Sequence, residues 1–203
     1  MPEETTTING GARRITGEEK SYWSVCLGLA AVVILGSAIY YISSYRSEHK
    51  KSDPYNFNKP VPTDAELKNR LKEEQYRVTR ENGTETPFHN AFWENTVTGI
   101  YADIISGEPL FLSYDKWDNS TGQLTFTQPI SYDLLVEKQD LSHDMVRVEV
   151  RAKRSDAHLG HLFGDPTSPT GRRYSLNSAA FQLIPVDKLQ EMGYEQYRPL
   201  LNR

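Results

Sequence analysis

The sequence predicts a mainly β, antiparallel domain with peripheral helices, preceded by one membrane-spanning helix. Three observations point there. From about Pro87 onward, short apolar runs are separated by turn residues, as in "TGIYADIISGEPLFLS", "QLTFTQPIS", "HDMVRVEVRAK" and "RYSLNSAAFQLIP". Within them, "VRVEV" alternates apolar and polar side chains, the period of a strand with one buried face. Ahead of them, Ser21 to Tyr45 ("SYWSVCLGLAAVVILGSAIYYISSY") carries no charge, and about 20 apolar residues span a hydrocarbon core.

Residues 1–20 read as a polar tail. Glu3, Glu4, Glu18 and Glu19 offset Arg13, Arg14 and Lys20, which argues against a mitochondrial transit peptide. Residues 21–45 follow as the membrane helix. Tyr22 and Trp23 at one end, and Tyr40, Tyr41 and Tyr45 at the other, suit the two interfaces. A buried core helix would not stand alone between two hydrophilic flanks, and a cleaved signal peptide would have a shorter apolar run and an A-x-A site. Arg13, Arg14 and Lys20 on one side balance Arg46, Lys50 and Lys51 on the other, so orientation is not readable. Residues 46–63 form a polar linker with Pro54, Pro60 and Pro62. The soluble domain, residues 64–203, begins with a helix: Thr63 and Glu66 make a capping-box pattern, and Leu67 and Leu71 share a face. The end of the chain, "KLQEMGYEQYRPLL", reads as a polar helix or tail.

Composition narrows the chemistry. The 203 residues hold 23 Lys and Arg against 27 Asp and Glu, a net charge of −4, so no basic surface for nucleic acid is indicated. The single cysteine, Cys26, lies within the expected membrane helix. It excludes an internal disulfide, a CxxC pair and a thiolate metal cage. No cofactor motif is present. Asn82-Gly83-Thr84 and Asn119-Ser120-Thr121 are glycosylation acceptors if the domain is lumenal.

Four segments taken together resemble the methionine-R-sulfoxide reductases of the B type. "YRVTRENGTETPFHNAFWEN" resembles their opening segment and "GIYADIISGEPLF" their next strand pair. "DAHLGHLFGDP" and "TGRRYSLNSAAFQLIP" resemble the two active-site segments, in order and spacing. The resemblance implies a barrel-like antiparallel β core with peripheral helices. It also implies a reaction in which a cysteine thiolate attacks the sulfoxide sulfur and becomes a sulfenic acid, which a second thiol resolves.

Against that pattern, Ser175 stands at the nucleophile position, and a hydroxyl is much harder to ionise than a thiol. Gln123, in "GQLTF", stands where the family packs a tryptophan on the substrate methyl group. The zinc-binding CxxC positions fall at Asp103 and Ser106, and at Ala152 and Ser155, so no metal is expected. His158, His161, Asp165, Arg173 and Asn177 match the positions that hold the sulfoxide oxygen and tune the thiolate. They represent either a preserved pocket or an inherited hydrogen-bonded network, whose disruption would cost about 1–3 kcal/mol per stranded polar group. "HLGH" as a metal pair lacks a third ligand.

These departures lead to an expectation of a catalytically inactive relative, a pseudoenzyme. It would be anchored by a single pass in a membrane lipid bilayer and act as an accessory subunit of a larger membrane protein complex. A respiratory or other energy-converting assembly of the mitochondrial inner membrane is the candidate. Two alternatives stay open. One is a membrane-tethered module that binds methionine sulfoxide or oxidised protein without reducing it. The other is an active enzyme with Ser175 as nucleophile and His161 as base.

Overall fold

The computed structural model describes residues 35–37, 55–117 and 120–202. The chain divides into two units, Met1–Lys50 and Lys51–Arg203. Of the first unit only residues 35–37, which are helical, are described, so the tail, the expected membrane span and Cys26 lie outside the described residues. Among the described residues, no helix is long and apolar enough to cross a membrane.

The second unit is mainly antiparallel β with a few short helices, as the sequence predicts, and its strands fall into two sheets. It opens with helices α1 (Asp64–Arg70) and α2 (Glu73–Glu81). The Thr63 capping box is complete: its hydroxyl accepts from the Glu66 N–H, and its own N–H donates to Glu66 Oε2 at 2.7 Å. The expected single helix is split, because Leu71 and Lys72 are extended and Lys72 starts a second helix. The break turns Leu67 and Val78 into the same core.

Strands β1 (Gly99–Asp103), β2 (Pro109–Leu112) and β8 (Phe181–Pro185) form one sheet in the order β2-β1-β8. Strands β3 (Leu124–Phe126), β4 (Leu135–Asp140), β5 (Arg147–Ala152), β6 (His158–Gly164) and β7 (Arg172–Leu176) form the other, in the order β3-β7-β6-β5-β4. Tyr101 and Phe111 from the first sheet meet Phe126 and Tyr174 from the second. Phe111 stacks on Phe126 at 4.6 Å, and Tyr101 meets Phe126 edge-on at 5.0 Å. These aromatic contacts lock the two sheets and hold the outer face of the second one still. At the end of the chain, the expected polar segment instead supplies α3 (Leu189–Met192) and a 3-10 turn over Glu195–Leu201. Leu189, Tyr194 and Leu201 are buried against Ile100 and Ile184.

Candidate active site

Strand register builds the site. Thr125 lies opposite Ser175, Ser175 opposite His161, His161 opposite Glu149, and Glu149 opposite Lys138. Residues directly opposite in a ladder project to the same face, so these five form one row across the sheet. Three residues away on a regular strand, His158 would face the other side. A bulge prevents this: Val150 pairs with Gly160 and Arg151 with His158, which leaves Leu159 as an extra residue. The two imidazoles therefore meet, with ring centroids 5.4 Å apart. Gly160 makes the bulge possible. Its φ is +150°, and a Cβ there would stand 2.2 Å from the Ser175 carbonyl oxygen.

Each imidazole is held by a carboxylate. His158 Nδ1 lies 2.7 Å from Glu149 Oε1, and His161 Nε2 lies 2.8 Å from Asp140 Oδ2. Hydrogen bonds from Ser142 and then His161 hold the Asp140 carboxyl well below the usual range. Burial pushes Glu149 up, but hydrogen bonds from His158 and Arg151 outweigh it, and its pKa is lowered. Both carboxylates are thus ionised acceptors, so each facing ring nitrogen carries the proton. Burial pushes His158 down, against the pull of Glu149. A neutral His158 then presents the lone pair of Nε2, which is buried and has no partner among the described residues. The pair opens on a cleft of about 450 Å³ that Asn82, Asp140, Arg147 and Glu149 also line.

The other nominated residues sit around this centre. Ser175 is half-buried, and its hydroxyl makes no hydrogen bond among the described residues. His161 Nε2 is turned to Asp140, so the two do not form a serine–histidine pair through that nitrogen. One pair of rungs along, Arg173 lies opposite Phe163, covers its ring at 4.8 Å, and donates to Asp165 at 3.1 Å. Asn177 is buried; its Oδ1 accepts from the Glu85 N–H at 2.9 Å and its Nδ2 donates to the Leu159 carbonyl at 3.1 Å. Gln123 Nε2 donates to the Glu85 carbonyl at 3.1 Å. Asn177 and Gln123 thus fix the backbone beside the site.

At Asp103, Ser106, Ala152 and Ser155, which the resemblance relates to zinc ligands, side chains and backbone close turns. The Asp103 carboxylate accepts from the backbone of Ile105 and Ser106 at 3.0 and 3.1 Å and from the Ser106 hydroxyl at 2.5 Å. Ser155 accepts from the Ala157 N–H at 3.2 Å, and the Ala152 N–H donates to the Ala157 carbonyl.

Four residues at this face are not evident from sequence. Glu149 and Asp140 become partners of the histidines only through register, although the alternation in "VRVEV" does place Glu149 on one face with Arg147 and Arg151. Trp93 and Trp117 line a second cleft, of about 650 Å³, that also includes Gln123 and Thr125. Their only signal was an aromatic residue inside each of two polar loops.

Comparison with known proteins identifies the family. Residues 71–185, more than half of the chain, match the family model described as SelR domain. A 139-residue stretch, 68% of the chain, is 48% identical to a protein of Vibrio cholerae serotype O1 named "Peptide methionine sulfoxide reductase MsrA/MsrB". The match spans 37% of that relative's length. This similarity overturns the expectation that the chain is not an enzyme. That expectation rested on a few substituted positions, Ser175 foremost, whereas 48% of the 139 matched residues are identical in a named reductase and the histidines are bonded to ionised carboxylates. The chain belongs to the SelR-domain family, the methionine-R-sulfoxide reductases of the B type.

Proposed function

We propose that the domain reduces methionine sulfoxide in peptides, with the thiol supplied by an external dithiol. The observation that carries this is the imidazole pair, each ring oriented by its own ionised carboxylate and placed beside Ser175. The only cysteine of the chain, Cys26, is outside the catalytic domain, so the attacking sulfur comes from the reductant. The Nε2 lone pair of His158 takes the proton of the incoming thiol, the thiolate attacks the sulfoxide sulfur, and that proton passes on to the sulfoxide oxygen. The oxygen leaves as water, a second thiol closes the disulfide, and the thioether is released. Two electrons and two protons are consumed, so the step balances. The Ser175 hydroxyl, unengaged among the described residues, donates a hydrogen bond to the sulfoxide oxygen and orients it.

The test is turnover of a peptide containing methionine sulfoxide by the full-length chain in detergent micelles with excess dithiol. The R epimer should disappear faster than in a heat-inactivated control, and His161→Ala should lower the rate at least tenfold. Ser175→Cys, which places a thiol on the row, should raise the rate by an order of magnitude or more. Consumption no faster than in the control would overturn the proposal.

We also propose that residues 21–45 anchor the chain by a single pass, with other subunits of a membrane complex as neighbours. The uncharged run and its aromatic ends support the anchor.

A further inference from the structure

We propose that Arg151 is a positioning residue for the reaction: it aims Glu149 at His158 and keeps that imidazole uncharged, so that Nε2 stays a proton acceptor. This rests on the reductase function above and adds a residue to it. The strand irregularity that carries His158 to the site face also sets it directly opposite Arg151. Glu149, two residues before Arg151, shares that face. One carboxylate oxygen then serves both neighbours. Glu149 Oε1 accepts from His158 Nδ1 at 2.7 Å and from Arg151 Nη1 at 2.6 Å.

The guanidinium is held from three sides. Its Nη1 also donates to Asn82 Oδ1 at 2.9 Å, at the end of α2. Its Nε donates to Asp156 Oδ1 at 2.8 Å, and its Nη2 donates to the Asp156 carbonyl, in the turn between β5 and β6. Arg151 is only 8% exposed, so its charge is poorly screened. A guanidinium does not lose its proton in a protein. A second positive charge beside it, on His158, is therefore disfavoured, and the oxygen that would stabilise that charge is already shared. The other groups around His158 do not replace this control. His161 packs on it edge to face, and Asp140, Arg147 and Glu81 line the same cleft. Asp140 is engaged by His161 and Arg147. Lys138, opposite Glu149 in the ladder, turns its ammonium to Asp156. Among the described residues, Arg151 is the cation that shares a carboxylate oxygen with His158.

The experiment has two readouts on the full-length chain in micelles. Carbon-labelled histidine spectra, with His158→Gln to assign the resonance, follow the titration of His158. Arg151→Met should move that titration to higher pH. Turnover of a peptide containing methionine sulfoxide is measured at pH 8 and pH 6, and the ratio of the two rates should rise about threefold over wild type in Arg151→Met. Arg151→Lys, which keeps the charge but not the fork, should hold the ratio near the wild-type value while lowering both rates. If Arg151→Met shows no cooperative urea transition, Arg151→Gln carries the same expectation. An unmoved His158 titration in a folded variant overturns the proposal. So does an equal loss of turnover at both pH values, since a purely structural support would act that way. Absence of turnover by the wild type overturns the reductase function, and the titration alone then decides whether Arg151 governs His158.

Discussion

His158 is buried, neutral and bonded to an ionised carboxylate, and the proton state of this one side chain has a measurable consequence. In the unfolded chain an imidazole titrates near about 6.5. Burial holds the folded value lower, with Glu149 only partly opposing. Between the two values the unfolded chain binds the extra proton, so stability rises with pH across this window and drops as the pH is lowered. The contribution is fully present above about 6.5 and is lost as pH falls through the lowered folded value. Asp140, also lowered, acts in a separate window below about 3.8. The urea midpoint of the wild type should therefore drop between about pH 7.5 and 5, and His158→Gln should flatten that drop. An equally steep profile in the variant would show that His158 is not the group responsible. The resemblance to the reductases named both histidines and Ser175, through their places in the two active-site segments. It could not name Asp140 or Glu149, since each is joined to its histidine from another strand.

At the scale of elements, the site depends on an irregularity. Strands β5 and β6 would pair regularly but for Leu159, and without the bulge one histidine would lie in the core face. Gly160→Ala should cost about 2 kcal/mol or more, because the new methyl meets backbone and not a movable side chain. It should also separate the imidazoles, so activity should fall further than stability alone explains; chemical denaturation alongside turnover measures both. The alternation of "VRVEV" made β5 legible. Strand β6, "HLGHLFG", was not read as a strand, because glycine and the bulge erase the period of two. The helix after Thr63 was legible at its start, where the capping box is local. Its break at Leu71 was not, because tertiary burial of Leu67 and Val78 decides it.

For the molecule as a whole, the antiparallel β character was readable from the spacing of strands and turns, while the division into two sheets and the way they meet through Tyr101, Phe111, Phe126 and Tyr174 was not. Aromatic residues in separate strands say nothing about which will touch. The polar end of the chain illustrates the same limit: Leu189, Tyr194 and Leu201 are spread among charges, yet all three are buried. The proposed anchor belongs to this scale too. Alkaline carbonate washing of native membranes should leave the full-length chain in the pellet, and a variant lacking residues 21–45 should appear in the wash. Release of the intact chain would exclude a spanning helix.

The rim of the histidine cleft carries one more consequence. Asn82 ends α2 in a left-handed conformation, lines that cleft, and accepts a hydrogen bond from Arg151 at 2.9 Å. It is also the first residue of an Asn-Gly-Thr acceptor. A sugar attached to its amide nitrogen would stand at the rim of the cleft and crowd the Arg151 guanidinium that also holds Glu149. Glycan occupancy and peptide entry therefore compete for the same doorway. In a glycosylating compartment, a glycan on Asn82 would stand in the path of a peptide approaching the histidine pair.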